Sequence, residues 1–225
     1  MTRTLLVDAD DTLWENITVF NAVNAAYVDW LLPGSNVREL QSELDALQVE
    51  FIAKHGYGRE TFAKSLLGGV ERFAGRMPSD ADSAVIDELV RPLLWDELDL
   101  IDGVPETLEE LSARNRLIMV TKGDHDEQSH KVARSGLRHH FDAIEILPTK
   151  SVSEYERIGE LYSLDPEASW MIGNSPRSDI HPALAAGFGA IHIPHAETWS
   201  HEREDLTSHP RLMSLGTFSE LVRHF

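Results

Sequence analysis

Cysteine is absent from this chain of 225 residues, so disulfides, thiolate nucleophiles and Cys-based zinc or iron–sulfur sites are excluded. Long apolar runs are missing too. None approaches the length of a membrane span, and the amino terminus lacks the basic-then-apolar pattern of a secretory leader. A first strand begins by Leu5, which leaves no room for a cleaved leader and makes the cytoplasm the expected location. Basic residues are scarce: 20 Lys and Arg stand against 38 Asp and Glu, a formal net charge of −18. That balance argues against nucleic acid and anionic membrane as partners, since both are bound through Lys and Arg. A solvated surface accounts for the acidic excess.

What is present is ordinary globular material, 42% hydrophobic and 26% charged, long enough for one sizeable core and a smaller second unit. Leu5-Leu6-Val7-Asp8-Ala9-Asp10-Asp11-Thr12-Leu13 is the most informative stretch. An apolar strand runs straight into two carboxylates two residues apart, and alternate residues of a strand share a face. Asp8 and Asp10 can therefore serve one small site. Two acids there suit phosphoryl chemistry: one can attack, and the other can shuttle a proton or help hold a metal.

Three later segments follow the same plan. Leu117-Ile118-Met119-Val120 ends in Thr121-Lys122-Gly123, and Ala143-Ile144-Glu145-Ile146-Leu147 is followed by Lys150. Trp170-Met171-Ile172 leads into Gly173-Asn174-Ser175-Pro176-Arg177-Ser178-Asp179. Each polar group stands just past the C-terminal end of an expected strand, the edge at which open α/β sheets bind ligands.

Between the first motif and Gly103 the pattern is helical. Phe20, Val23, Tyr27 and Trp30 recur at spacings of three and four, as do Val37, Leu40, Leu44, Leu47 and Phe51, and then Phe62, Leu66, Val70 and Phe73. A fourth helix is expected over roughly 81–95, limited by Pro92. From Gly103 onward helices and strands alternate: a helix from near Pro105 to near Asn115, strand 117–121, helix 124–135, strand 143–147, helix 151–163, strand 169–173, helix 178–186 and strand 189–193. This predicts an α/β fold with a doubly wound, mostly parallel sheet covered on both faces. The expected domains are an α/β core over 1–14 and 98–225, and an inserted helical bundle over 15–97.

The ordered set resembles the haloacid dehalogenase-like (HAD) superfamily of phosphohydrolases, across nearly the whole chain. Its Asp-x-Asp-x-Thr signature is met by Asp8, Asp10 and Thr12, and its strand-ending Thr or Ser by Thr121. Its lone Lys is best met by Lys150. Its Gly-Asp pair with a second acid is met by Gly173, Asn174 and Asp179, with Asn174 standing where Asp is more usual. The resemblance implies a Rossmann-like core whose inserted helices cap the active site. It also implies a Mg²⁺-dependent phosphatase that acts on a small phosphorylated metabolite through an aspartyl-phosphate. Asp8 would then be the nucleophile and Asp10 the proton shuttle, with Thr121 and Lys150 on the phosphoryl oxygens. Asp8, the main-chain carbonyl of Asp10, Asn174 and Asp179 would hold Mg²⁺.

Lys122 competes with Lys150 as the cation of the site, but lies inside the second motif and is read as pointing away. Tyr57 and Arg59, with Lys54 and Lys64, are the residues of the helical insert to set against substrate, because Gly56 and Gly58 form a flexible turn there. A plain solvated loop between helices is the competing reading. Thr121 taken alone is more often a helix cap, since Gly123-Asp124 begins a helix beside it, and Asp11 is read as a turn residue. His181, His192, His195, His201 and His209 match no tetrahedral zinc spacing and are read as surface and turn histidines, while Trp199 is expected to pack its loop on the core. A haloacid dehalogenase is disfavoured because Asp10 supplies an acid that carbon–halogen displacement does not need. Three alternatives stay open: a phosphonate-cleaving enzyme with a Schiff-base lysine, a phosphosugar mutase, or a catalytically weak phosphate-binding regulatory protein.

Overall fold

The computed structural model describes residues 3–225. They divide into two compact units, one of the described residues up to Glu15 with Glu97–Phe225, the other of Asn16–Asp96.

The first unit is built on six strands: β1 (Thr4–Val7), β2 (Arg116–Lys122), β3 (Ala143–Leu147), β4 (Ser169–Gly173), β5 (Gly189–His192) and β6 (Leu212–Ser214). All pairs are parallel, in the order β3-β2-β1-β4-β5-β6. The chain builds outward from β1 through β2 to β3, then returns to β4 on the other side of β1. That reversal makes the carboxyl ends of β1 and β4 a topological switch point, where such sheets open a ligand crevice.

Alternation along the buried strands sends residues to opposite faces. Leu5 and Val7 join Leu117, Met119, Ile172 and Ile191 in one cluster, packed by Val104, Leu108 and Leu111 of helix α5 (Val104–Ser112) and by Phe218 and Leu221. Leu6 joins Ile118, Val120 and Met171 on the other face, under Tyr155 and Ile158 of α7 (Val152–Leu161) and Phe188. Each buried leucine contributes about 1.5–3 kcal/mol relative to exposure. Helix α6 (His125–Ser135) follows β2 and starts at Asp124, whose carboxylate accepts from the main-chain N–H groups of Asp126 and Glu127.

Two expectations for this unit need correction. The segment expected as a helix over 178–186 is a π-helical turn, Pro176–Ile180, followed by α8 (His181–Ala185). β6 was not expected. It is three residues long and pairs only with β5, too short for an alternation to be read.

The second unit contains α1 (Ile17–Leu31), α2 (Val37–His55), α3 (Arg59–Ala74) and α4 (Asp80–Leu89). Val23, Tyr27, Leu44, Leu47, Leu66, Val70 and Ile86 are buried, largely the residues of the helical periodicity. Tyr27 Oη donates to the carbonyl of Leu66 at 2.8 Å, and a Cβ on Gly69 would fall 2.4 Å from that hydroxyl. Only glycine permits this approach. Ser79 and Asp82 form a reciprocal capping box at the start of α4, and Arg76 clasps Asp82 through two bonds of 2.7 Å. α4 stops at Leu89, short of the expected boundary. Arg91–Leu94 continue as a 3₁₀ turn containing Pro92, which has no N–H for an α-helical bond. Among the described residues, no helix is long and apolar enough to cross a membrane.

Candidate active site

Asp8 leaves the end of β1 with its N–H donated to Ile172 O at 2.9 Å, which fixes it beside the end of β4. The next residues turn sharply. Thr12 and Leu13 donate their main-chain N–H groups to Ala9 O, and Asp11 adopts φ +60, the left-handed region that Asp tolerates better than most residues. The turn brings Thr12 back over the motif, where Oγ1 donates to Asp8 Oδ2 at 3.2 Å and lies 3.5 Å from Asn174 Oδ1.

Lys150 is the cation of this centre. It is buried and donates to Asp8 Oδ1 and, at 2.6 Å, to Asp179 Oδ1. Burial opposes its charge, but Asp179 and Asp8 hold its pKa above the ordinary lysine value. Asp8 is pushed up to about 7, first by burial and then by Asp179, with Lys150 opposing. Asp179 is fully buried, and its other oxygen accepts from Ser175 N at 3.0 Å. A Cβ on Gly173 would lie 2.3 Å from Asp179 Oδ2, so glycine is needed for this carboxylate to fold back against the strand end.

Asp10 is held elsewhere. Its Oδ1 accepts from Trp14 Nε1 at 2.7 Å and Lys131 Nζ at 2.9 Å, and its Oδ2 accepts from Gln128 Nε2 at 2.9 Å. Burial raises its pKa, but the Lys131 ammonium and these hydrogen bonds outweigh burial and bring it below the ordinary carboxylate value. Thr121, also buried, donates to Gln128 Oε1 at 3.3 Å.

Lys122 turns to a separate network. Its ammonium donates to Glu202 and, at 2.7 Å, to Ser178 Oγ, while the hydroxyls of Ser175 and Ser178 each donate to Glu202 Oε2 at 2.6 Å. Burial would raise Glu202, but Lys122 and the two serines lower it to about 2. Tyr155 Oη donates to Ser178 O at 3.1 Å. The fourth-motif loop is thus held by Tyr155 and Glu202 as well as by Lys150.

The structure brings Asp8, Lys150 and Asp179 together and puts Asn174 beside Thr12. Tyr57 and Arg59 stand half-buried at the α2–α3 turn of the helical unit. Lys54 and Lys64 form exposed ion pairs one turn along their own helices, with Glu50 at 2.7 Å and Glu60 at 2.8 Å. Gln128, Lys131, Tyr155 and Glu202 were missed from sequence, since a polar residue on an amphipathic helix or loop reads as solvated. For His192 and His195 the reading as surface and turn histidines also needs correction. His192 Nε2 lies 3.1 Å from Asn174 O, and His195 Nε2 lies 3.2 Å from Glu15 Oε2. Ligand atoms of Asp11, Glu15 and His195 fall within 4.8 Å of one another, a tie between the first-motif loop and the segment after β5 that no local spacing encodes.

A family model described as haloacid dehalogenase-like hydrolase matches residues 2–187. No curated protein matches. Among solved structures, a haloacid dehalogenase-like family hydrolase from Xanthomonas campestris is similar at 28% identity and TM-score 0.85, covering 99% of this chain and 90% of that one. YfnB from Bacillus subtilis, a HAD hydrolase bound to magnesium, is similar at 19% identity and TM-score 0.70, covering 99% and 98%. L-2-haloacid dehalogenase from Xanthobacter autotrophicus is similar at 16% identity and TM-score 0.67, covering 99% and 98%.

Proposed function

Since this chain belongs to the haloacid dehalogenase-like hydrolases, we propose that it is a Mg²⁺-dependent phosphatase of small phosphomonoesters. The observation that carries the reading is Asp10, a second carboxylate two residues from Asp8, held by Lys131, Gln128 and Trp14. Hydrolysis of a phosphomonoester needs a proton delivered to the leaving oxygen and another taken from water. Displacement of halide from carbon needs no acid for its leaving group.

The donor set suits Mg²⁺. Asp8, Asp179 and Asn174 offer oxygen ligands, and two buried carboxylates share one ammonium, which leaves the cluster short of positive charge. Asp8, the Asp10 main-chain carbonyl, Asn174 and Asp179 would hold the ion. When bound, it supplies electrostatic stabilisation to the phosphoryl oxygens.

In the proposed reaction an Asp8 oxygen attacks phosphorus, the P–O bond to the leaving group breaks, and Asp10 protonates the departing oxygen. Water then attacks the aspartyl-phosphate, Asp10 takes its proton, and Asp8 is released with inorganic phosphate. Lys150 stabilises charge on the phosphoryl oxygens, and Thr121 adds to it by turning its one hydroxyl proton from Gln128 to the substrate. Tyr57 and Arg59 of the helical unit are assigned to substrate, while Lys122, the other residue considered for that role, is engaged by Glu202 and Ser178. Turnover of p-nitrophenyl phosphate with and without Mg²⁺, beside chloride release from 2-chloropropionate, tests the reading. Chloride release without phosphatase turnover overturns it, and a panel of phosphorylated metabolites then narrows the substrate.

A further inference from the structure

Helix α6 sends two buried polar side chains to a single carboxylate. Gln128 and Lys131 are three residues apart, the spacing of neighbours on one helix face, and both are buried. A buried ammonium is costly unless paired, and Lys131 Nζ is 2.9 Å from Asp10 Oδ1. Gln128 spends both ends of its amide within the motifs, donating to Asp10 Oδ2 and accepting from Thr121 Oγ1. Space for it comes from Gly123, where a Cβ would lie 3.0 Å from Gln128 Nε2.

We propose that Gln128 and Lys131 are positioning residues that aim the Asp10 carboxylate and confine its proton transfer to Oδ2. A carboxylate oxygen has two lone pairs. Oδ1 accepts from both Trp14 and Lys131, whereas Oδ2 accepts only from Gln128 among the described residues. Oδ2 therefore keeps a lone pair for the proton it gives to the leaving oxygen and later takes from water. Gln128 also links the acid to Thr121. This inference rests on the phosphatase reading, in which Asp10 is the acid and base.

The test uses the full-length protein and aryl phosphates whose phenols span a wide range of pKa. Lys131→Met keeps the length of the side chain and removes its charge. The expected result is a fall in kcat of about 10–100-fold with little change in KM, steepest for poor leaving groups as with Asp10→Asn. Combining Lys131→Met with Asp10→Asn should cost no more than Asp10→Asn alone. Gln128→Met, which leaves the ion pair intact, is measured in the same way and should show the same leaving-group slope if Lys131→Met does not fold. Losses that are equal across leaving groups, or that multiply with Asp10→Asn, overturn the inference while the phosphatase reading stands. A parent without Mg²⁺-dependent phosphatase turnover overturns both.

Discussion

Lys150 and Asp179 meet through a 2.6 Å hydrogen bond between groups 29 residues apart in sequence. The same ammonium donates to Asp8, so the acid after β1 and the acid after β4 share one cation. A third carboxylate, Asp10, is drawn away by Lys131. The site thus divides its acids in two, Asp8 and Asp179 on Lys150 and Asp10 on Lys131, Gln128 and Trp14.

Asp8→Asn should reduce phosphatase turnover to background while the fold persists, because an amide cannot attack phosphorus. Burial and Asp179 penalise the charge of Asp8, so the melting temperature should hold or rise. Activity within tenfold of the parent, with contamination excluded, would remove Asp8 as nucleophile.

Glu202→Gln should destabilise the protein in a pH-dependent way. The folded-state pKa of Glu202 is lowered to about 2 from 4.5, so its stabilisation is fully present above pH 4.5 and fades as pH falls toward 2. The shift corresponds to at most about 3 kcal/mol. Denaturant melts at pH 7, 5 and 3.5 should show the gap between parent and variant closing at the acid end. A gap independent of pH would mean that Glu202 acts through packing alone.

Asn174→Asp should lower the Mg²⁺ concentration for half-maximal activity, since a charged oxygen is the better ligand for a hard ion. Asp179→Asn should raise it. Titration of Mg²⁺ at fixed substrate measures both, and an unchanged midpoint in both variants would show that this loop does not hold the metal. Maximal rate need not track either change, because an added charge also repels the substrate phosphate.

Gly173→Ala should lower both stability and activity. The new Cβ would stand 2.3 Å from Asp179 Oδ2, forcing that carboxylate away from Lys150. A raised Mg²⁺ midpoint together with a lower melting temperature is expected, and a variant with parental values in both would mean that the loop relaxes without cost.

The strands β1 to β5 were legible in sequence because each is a short apolar run ending in a polar cluster, and the helices between them carry the longer apolar period. β6 was not, because three residues at the sheet edge display no pattern. Lys150 was legible as the lone lysine after β3. Lys131 was not, since nothing in the local spacing of α6 separates a lysine facing a carboxylate from one facing water. His195 and Glu202 were hidden for the same reason, as their partners come from distant parts of the chain.

By itself the sequence determined the order of strands and helices, the helical insert and the four groups that end strands, because apolar period and turn residues are local properties. Only the tertiary structure decided how the charges divide. The return of the chain to β4 beside β1 sets Asp179 next to Asp8 under Lys150, and the docking of α6 gives Asp10 to Lys131 and Gln128. Pairing of buried charges depends on distances between segments far apart in the chain, and those distances exist only once the sheet has closed over its core.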